Sequence, residues 1–220
     1  MPQPVAFFPL NGKYGAKEYK NRLPEGYKGI VNPAPGPNGE PDGSLQFMGD
    51  RNSFVRLIGF KDVWNPREFS FTVTCWFYLD YPHGPIFASS GGTGVELFLM
   101  HQHLFGSIVG KTTRYPEIKS RKLDLGKWYY VALAYDHNTG IENLWLNGEL
   151  HATLNMGVIT QEDLAPEVAL GSAPTYNLFF MGRIAQLKLY DVALSAAQVE
   201  ATNNVGTGKY IFVVILVSKK

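Results

Sequence analysis

Apolar and polar residues alternate with a period of two along much of this chain, most cleanly over residues 69–79. Phe71, Val73, Cys75, Phe77 and Leu79 fall on one face of that run, and Thr72, Thr74, Trp76 and Tyr78 on the other. The first face reads as part of a core. The second is mixed, as on a sheet face covered by loops or lined for a ligand. Residues 127–135 are apolar or aromatic on both faces, which predicts a strand inside a layered β-structure. Asn147-Gly148 separates two further strand-like runs. Both central positions of a type I′ turn need positive φ, and Asn-Gly accepts that with little strain. The same reading predicts strands over 5–10, 44–48, 54–58, 85–89, 95–100, 104–109, 142–146, 149–154, 168–171 and 179–190.

Two stretches interrupt the strand pattern. Residues 11–43 are rich in Gly, Pro, Asn and Lys, and 32–39 are the most turn-prone part. An excursion this long within a compact domain is usually functional or poorly ordered. Residues 194–201 read as helix, with Ser195 as N-cap and Gln198 at capping-box spacing. Few of its residues are apolar, so a short surface helix is expected. The tail, residues 210–220, is an apolar run ending in two lysines and is far shorter than the roughly 20 residues a membrane span needs. Three readings stay open for it: another buried strand, the start of a truncated span, or a β-prone segment (210–217) that pairs chains into a homo-oligomer.

Composition narrows the class. A chain of 220 residues with 14% aromatics, 23 Gly and 14 Pro fits one all-β domain with many turns. The formal charge of +1 leaves no nucleic-acid footprint. Lys119-Ser120-Arg121-Lys122 is the one short basic patch, and it reads as a solvated loop. Cys75 is the single cysteine, so no intrachain disulfide forms, and its parity makes it a small buried hydrophobe. Met1-Pro2-Gln3-Pro4 shows neither the basic nor the apolar region of a signal peptide, which leaves open a cytosolic chain or an excised mature domain.

Five stretches together carry a family resemblance: Val5-Ala6-Phe7-Phe8-Pro9-Leu10; the run from Gly43 to Val55; Phe69 to Tyr78; Trp128 to Leu150; and Gly182 to Ser195. In this order they resemble a laminin-G-like domain of the concanavalin-A-like jelly-roll group, which also contains pentraxins. Cys75, where the family usually has Ala, and the tail depart from the pattern. The resemblance implies an antiparallel two-sheet jelly-roll sandwich over residues 1–209, followed by the apolar tail 210–220. It implies an extracellular recognition or adhesion module that takes a glycan or a protein. The alternatives are a self-associating matrix protein and a glycoside hydrolase relative.

The resemblance also places candidate sites. Family calcium ligands tend to lie near the Gly49-Asp50 turn and on the closing strand at Gln186. Asp50 offers a carboxylate and Gln186 only an amide oxygen, so such a Ca²⁺ site would be weak. Asp after Gly also favours an ordinary turn. Trp64 and Tyr176 sit in loop-like surroundings, where ligand contacts concentrate, and are the candidate ligand-binding rings. Tyr115 is a further ring that could stack on a sugar, whereas Trp76 and Trp145 fall within strand runs and read as core. His101 and His103 would share a strand face and could grip Zn²⁺, yet the stretch equally reads as a turn, and two ligands fall short of a closed shell. Glu96, Glu142 and Glu149 are isolated in sequence, and no paired acid and base is visible, so no catalysis is expected.

Overall fold

The computed structural model describes residues 1–60, 70–89, 94–109, 116–159, 167–173 and 177–206. Trp64, Tyr115, Tyr176 and the tail from 210 to 220 lie outside these residues. Seventeen strands and one helix follow in chain order: β1 (Ala6–Phe8), β2 (Tyr27–Lys28), β3 (Asn32–Ala34), β4 (Ser44–Met48), β5 (Val55–Ile58), β6 (Phe71–Leu79), β7 (Gly84–Ser89), β8 (Gly94–Met100), β9 (His103–Val109), β10 (Ile118–Lys122), β11 (Trp128–Asp136), β12 (Ile141–Leu146), β13 (Glu149–Asn155), β14 (Glu167–Leu170), β15 (Ser172–Ala173), β16 (Leu178–Phe179), β17 (Met181–Tyr190) and α1 (Ala196–Gly206).

The strands form an antiparallel sandwich of two large sheets. One runs β13-β12-β11-β6-β17-β4-β3, with β1 also paired to β17; the other runs β10-β9-β8-β7-β14-β5-β2. β15 and β16 form a small separate ribbon. The expected parity holds on β6, since Phe71, Val73, Cys75, Phe77 and Leu79 all enter the inter-sheet core. There they meet Val95, Leu97, Leu104 and Leu133 from neighbouring strands and the facing sheet. Burial pushes the Cys75 thiol up to about 12, so it is inert at neutral pH. The Asn147-Gly148 turn is as expected, with φ of 53° and 85°. The Asn147 side chain also accepts a hydrogen bond from the Tyr130 amide at 2.9 Å, tying the turn to β11.

The outward face of the first sheet is covered by a third layer. Trp76, Tyr130, Ala132, Ala134, Trp145, Ala185 and Tyr190 pack there with Leu194 and Val199. Trp76 and Trp145 are therefore buried as expected, though beneath the helix rather than between the sheets. The helix is longer than its sequence suggested and is more than a surface element. It buries Val199, and Thr202 accepts a 2.6 Å hydrogen bond from the Tyr130 hydroxyl. The Gln198 carboxamide accepts the Ser195 amide at 2.8 Å, which is one half of the capping box.

Several short elements, β15 among them, were not expected from the sequence. β2 and β3 lie inside the Gly- and Pro-rich excursion, where local propensity argues against strands. β3 carries Pro33 and pairs only with β4, an edge position where a missing donor does no harm. β10 occupies the basic patch 119–122, which is thus an edge strand rather than a loop. Ser120 points inward, and its hydroxyl accepts the Leu104 amide at 2.9 Å.

One acid lies in the core without a partner. Glu142 shares inward parity with Leu144 and Leu146, is fully buried, and neither carboxylate oxygen has a hydrogen bond. Burial raises its pKa from 4.5 to about 8. A folded-state value above the unfolded one means that stability is fully present below pH 4.5 and is lost as pH rises towards 8. The loss runs at about 1.4 kcal/mol per pH unit. Glu142→Met should therefore raise unfolding free energy at pH 7 by on the order of 3 kcal/mol, and should do little at pH 4. Denaturant melts of both proteins between pH 4 and 9 check this; parallel pH profiles would remove the assignment.

Candidate functional site

The site begins with a change of partner along β17. Residues 181–184 pair with β4, and residues 187–189 pair with β1 on the same side of the strand. β1 ends and β4 begins at this point, so the two meet end to end against β17. Gln186 lies at the junction, in a bulge with φ of 54°, and its amide donates to the Pro9 carbonyl at 2.9 Å. The excursion leaves the sheet after β1 and returns at Gly43, directly before β4. Its two arms are tied by the Gly12 amide, which donates to the Asp42 carbonyl at 2.9 Å.

A hollow of about 670 Å³ opens above this junction. Phe7, Tyr14 and Tyr19 form one wall, with ring centroids 5.5 and 5.6 Å apart. Asp42 and Glu40 form another, and Asn11, Gln186, Lys13 and Lys188 complete the polar lining. Glu40 accepts two hydrogen bonds from Asn38, one from its side chain and one from its amide. The Lys13 ammonium stands 5.2 Å from the Tyr14 ring centre, and the Lys188 ammonium 5.3 Å from that of Phe7. Rings beside amides and charges, in a space of this size, are the features from which small-molecule sites are commonly built.

Glu18 holds the excursion in shape. It is buried, and its carboxylate accepts the amides of Phe7, Lys20 and Arg22 and the Arg22 guanidinium at 2.9 Å. Burial pushes its pKa up, but the Arg22 side chain and the three amides outweigh that and hold it below 4.5.

A second concavity, of about 260 Å³, lies on the outer face of the other sheet. Pro85, Phe98, Met100 and Leu178 line it, with Glu96 and Glu117. Phe98 stacks on Phe105 at 5.2 Å and 8°, and the Lys119 ammonium covers the far face of Phe105 at 5.4 Å. The Phe105 ring faces are thus occupied by neighbouring strands. Glu96 is not isolated. It pairs with Ser107 across β8 and β9, and Glu117 stands one residue before Ile118, whose partner is Gly106. The two acids therefore flank Ser107 on either side, about 10 Å apart at two strand spacings. Sequence distance concealed this, because the acids come from separate strands.

Other expected residues are placed differently. Asp50 lies in an exposed turn, where its carboxylate accepts the Asn52 amide at 2.7 Å. The neighbouring Gly49 bonds to Phe180, six residues along β17 from Gln186, or about 20 Å of extended chain. One Ca²⁺ ion, which holds its ligands at about 2.4 Å, cannot serve both residues. His101 and Gln102 form a turn with φ of 52° and 66°, so His101 and His103 do not share a strand face. His101 meets His83, with ring centroids 4.8 Å apart, while the His103 ring nitrogen bonds to the Ser120 carbonyl at 2.9 Å. Among the described residues, no group of three or more His, Cys, Asp or Glu could hold a metal ion, and no helix is long and apolar enough to cross a membrane. The candidate rings Trp64 and Tyr176 fall outside the described residues.

Comparison with known proteins settles the class. A laminin G family model, described as the concanavalin A-like lectin/glucanases superfamily, matches residues 39–200. The chain belongs to this family. It is 24% identical to human pentraxin-related protein PTX3 over 118 residues, covering 49% of this chain and 30% of that protein. Among solved structures it resembles the binding domain of botulinum neurotoxin serotype G (TM-score 0.75, 12% identity, 92% of this chain and 51% of that one). It also resembles the binding domain of neurotoxin DC, once in complex with rat synaptotagmin II (TM-score 0.71, 14% identity, 92% and 52%) and once with SialylT (TM-score 0.70, 14% identity, 91% and 50%). The chain thus spans about half the length of these structures, and at such identity the likeness shows the fold.

Replacing Glu18 by Gln should lower stability by about 2 kcal/mol, the cost of weakening a buried charged hydrogen-bond set. Its depressed pKa gives stability that is present above the ordinary carboxylate range and lost as pH falls. Wild type should therefore lose this increment on acidification below about pH 4.5, and E18Q should not. Thermal melts from pH 3 to 7 read both effects; equal acid sensitivity in the two proteins would refute the role given to Glu18.

Proposed function

We propose that this chain is a non-catalytic recognition module acting outside the cell, and that its ligand is a glycan seated in the hollow at the β1–β4 junction. The observation carrying this reading is the wall of Phe7, Tyr14 and Tyr19 facing carboxylates, amides and ammonium groups across 670 Å³. Apolar sugar faces stack on such rings, and hydroxyls pair with such polar groups. The family and the SialylT and synaptotagmin complexes of its structural neighbours support a binding role.

Tyr14→Ala and Tyr19→Ala should each weaken glycan binding about five- to tenfold by loss of stacking area. Tyr19 is half exposed and Tyr14 only partly buried, so melting temperatures should change little, least for Tyr19→Ala. A glycan array followed by calorimetry, with and without EDTA, tests this. Absence of any glycan bound at millimolar concentration would sink the reading and leave a protein ligand. One observation favours a second reading, glycoside hydrolysis, which needs two carboxylates about one cleft: Glu96 and Glu117 line one concavity from strands on either side of Ser107. Release of reducing ends from an oligosaccharide panel, abolished by Glu96→Gln, would establish it.

A further inference from the structure

Lys188 is a cation without a counter-ion among the described residues. It lies towards the end of β17, opposite Phe7 on β1 and Thr74 on β6, so a strand flanks it on each side. Its ammonium faces the Phe7 ring at 5.3 Å and lines the hollow. Among the described residues it makes no ion pair and no hydrogen bond. Glu18, the buried acid of the excursion, is already committed to Arg22 and three amides. Glu40 is held by Asn38 at the rim.

A charge partly shielded from water, as on the half-buried Lys188, gains from a partner it finds only in the bound state. Desolvation lowers the Lys188 pKa from 10.5, in keeping with that position. A neutral sugar would leave the ammonium as it is. A phosphate ester would bring nearly two negative charges against Asp42 and Glu40, which line the same hollow. One carboxylate satisfies Lys188, while ring hydroxyls meet the acids and the Gln186 and Asn11 amides. We propose that Lys188 is the anion subsite of the hollow and that the glycan it selects carries a carboxylate on its pyranose ring, as uronic and sialic-type sugars do. This rests on the glycan reading above, and it assigns the acid group directly to a lysine rather than to a metal ion.

The test compares carboxylated oligosaccharides with the same compounds after reduction of the carboxylate to an alcohol, by calorimetry in EDTA. Uronate-bearing and sialylated members form separate arms, which identify the sugar source. Wild type should bind the acid forms of at least one arm about tenfold more tightly than the reduced forms. Lys188→Met should erase that difference, and Lys188→Arg should keep part of it. Equal wild-type affinity for acid and reduced forms overturns the assignment while sparing the glycan reading, and it needs no variant. A preference that survives in K188M also overturns it. Binding of neither form by wild type removes the glycan reading itself.

Discussion

β17 supports two strands in sequence along one edge, and the arrangement of this molecule's candidate site follows from that handover. A continuous strand in place of β1 and β4 would leave the sheet closed. Two strands meeting end to end leave a gap in the ladder, and a backbone gap needs its polar groups satisfied. Gln186 does this by turning its amide towards the Pro9 carbonyl, at the expense of a left-handed φ that residues other than Gly adopt only where the surroundings hold them. The bulge redirects the following side chains, so Lys188 stands over β1 while Arg183 stands over Tyr78, 4.4 Å from the ring centre. Bulges beside functional positions commonly serve to aim side chains in this way.

The excursion of residues 11–43 is then a wall rather than a loose loop. Its rigidity does not come from a core of its own, since most of its residues are polar, Gly or Pro. It comes from one buried carboxylate binding three amides and a guanidinium, and from close backbone approach. A Cβ on Gly29 would fall 1.9 Å from the Asn52 carbonyl, so the excursion lies flat against the turn after β4 only because glycine is there. The pinned excursion presents Tyr14 and Tyr19 to the hollow, with Tyr19 half exposed and Tyr14 partly buried. The aromatic row on the other sheet shows the contrary case, where Phe105 spends its faces on Phe98 and Lys119.

The parts legible in the sequence are those set by period and turn chemistry. The parity of Phe71 to Leu79, the two-sided burial of β11 and the Asn147-Gly148 turn all follow from local rules, and the ordered motifs gave the jelly roll. What was not legible depends on pairing between distant segments. β2 and β3 exist because β5 and β4 offer ladders to pair with, which overrides a Gly- and Pro-rich composition. Glu96 and Glu117 are neighbours only through the β8–β9–β10 register. Gln186 reads in sequence as a strand residue at a family position, and nothing local marks it as a bulge. Lys188 reads as an outward polar residue on an alternating strand, and only the packing of Phe7 beside it and the excursion above it removes it from water.

Lys188 and Glu142 show why burial of a charge does not by itself indicate function. Both are desolvated, and both lack an ionic partner among the described residues. Glu142 sits between the sheets among Leu144, Leu146 and Tyr135, fully buried and outside both of the hollows described above. Its proton is the only charge compensation open to it, so its effect is on stability and pH. Lys188 adjoins a hollow that a ligand can enter, so a bound anion can supply what the fold withholds. The same desolvation is therefore a cost to folding in one place and binding energy in reserve in the other, and the difference lies in whether solvent-sized space reaches the charged atom.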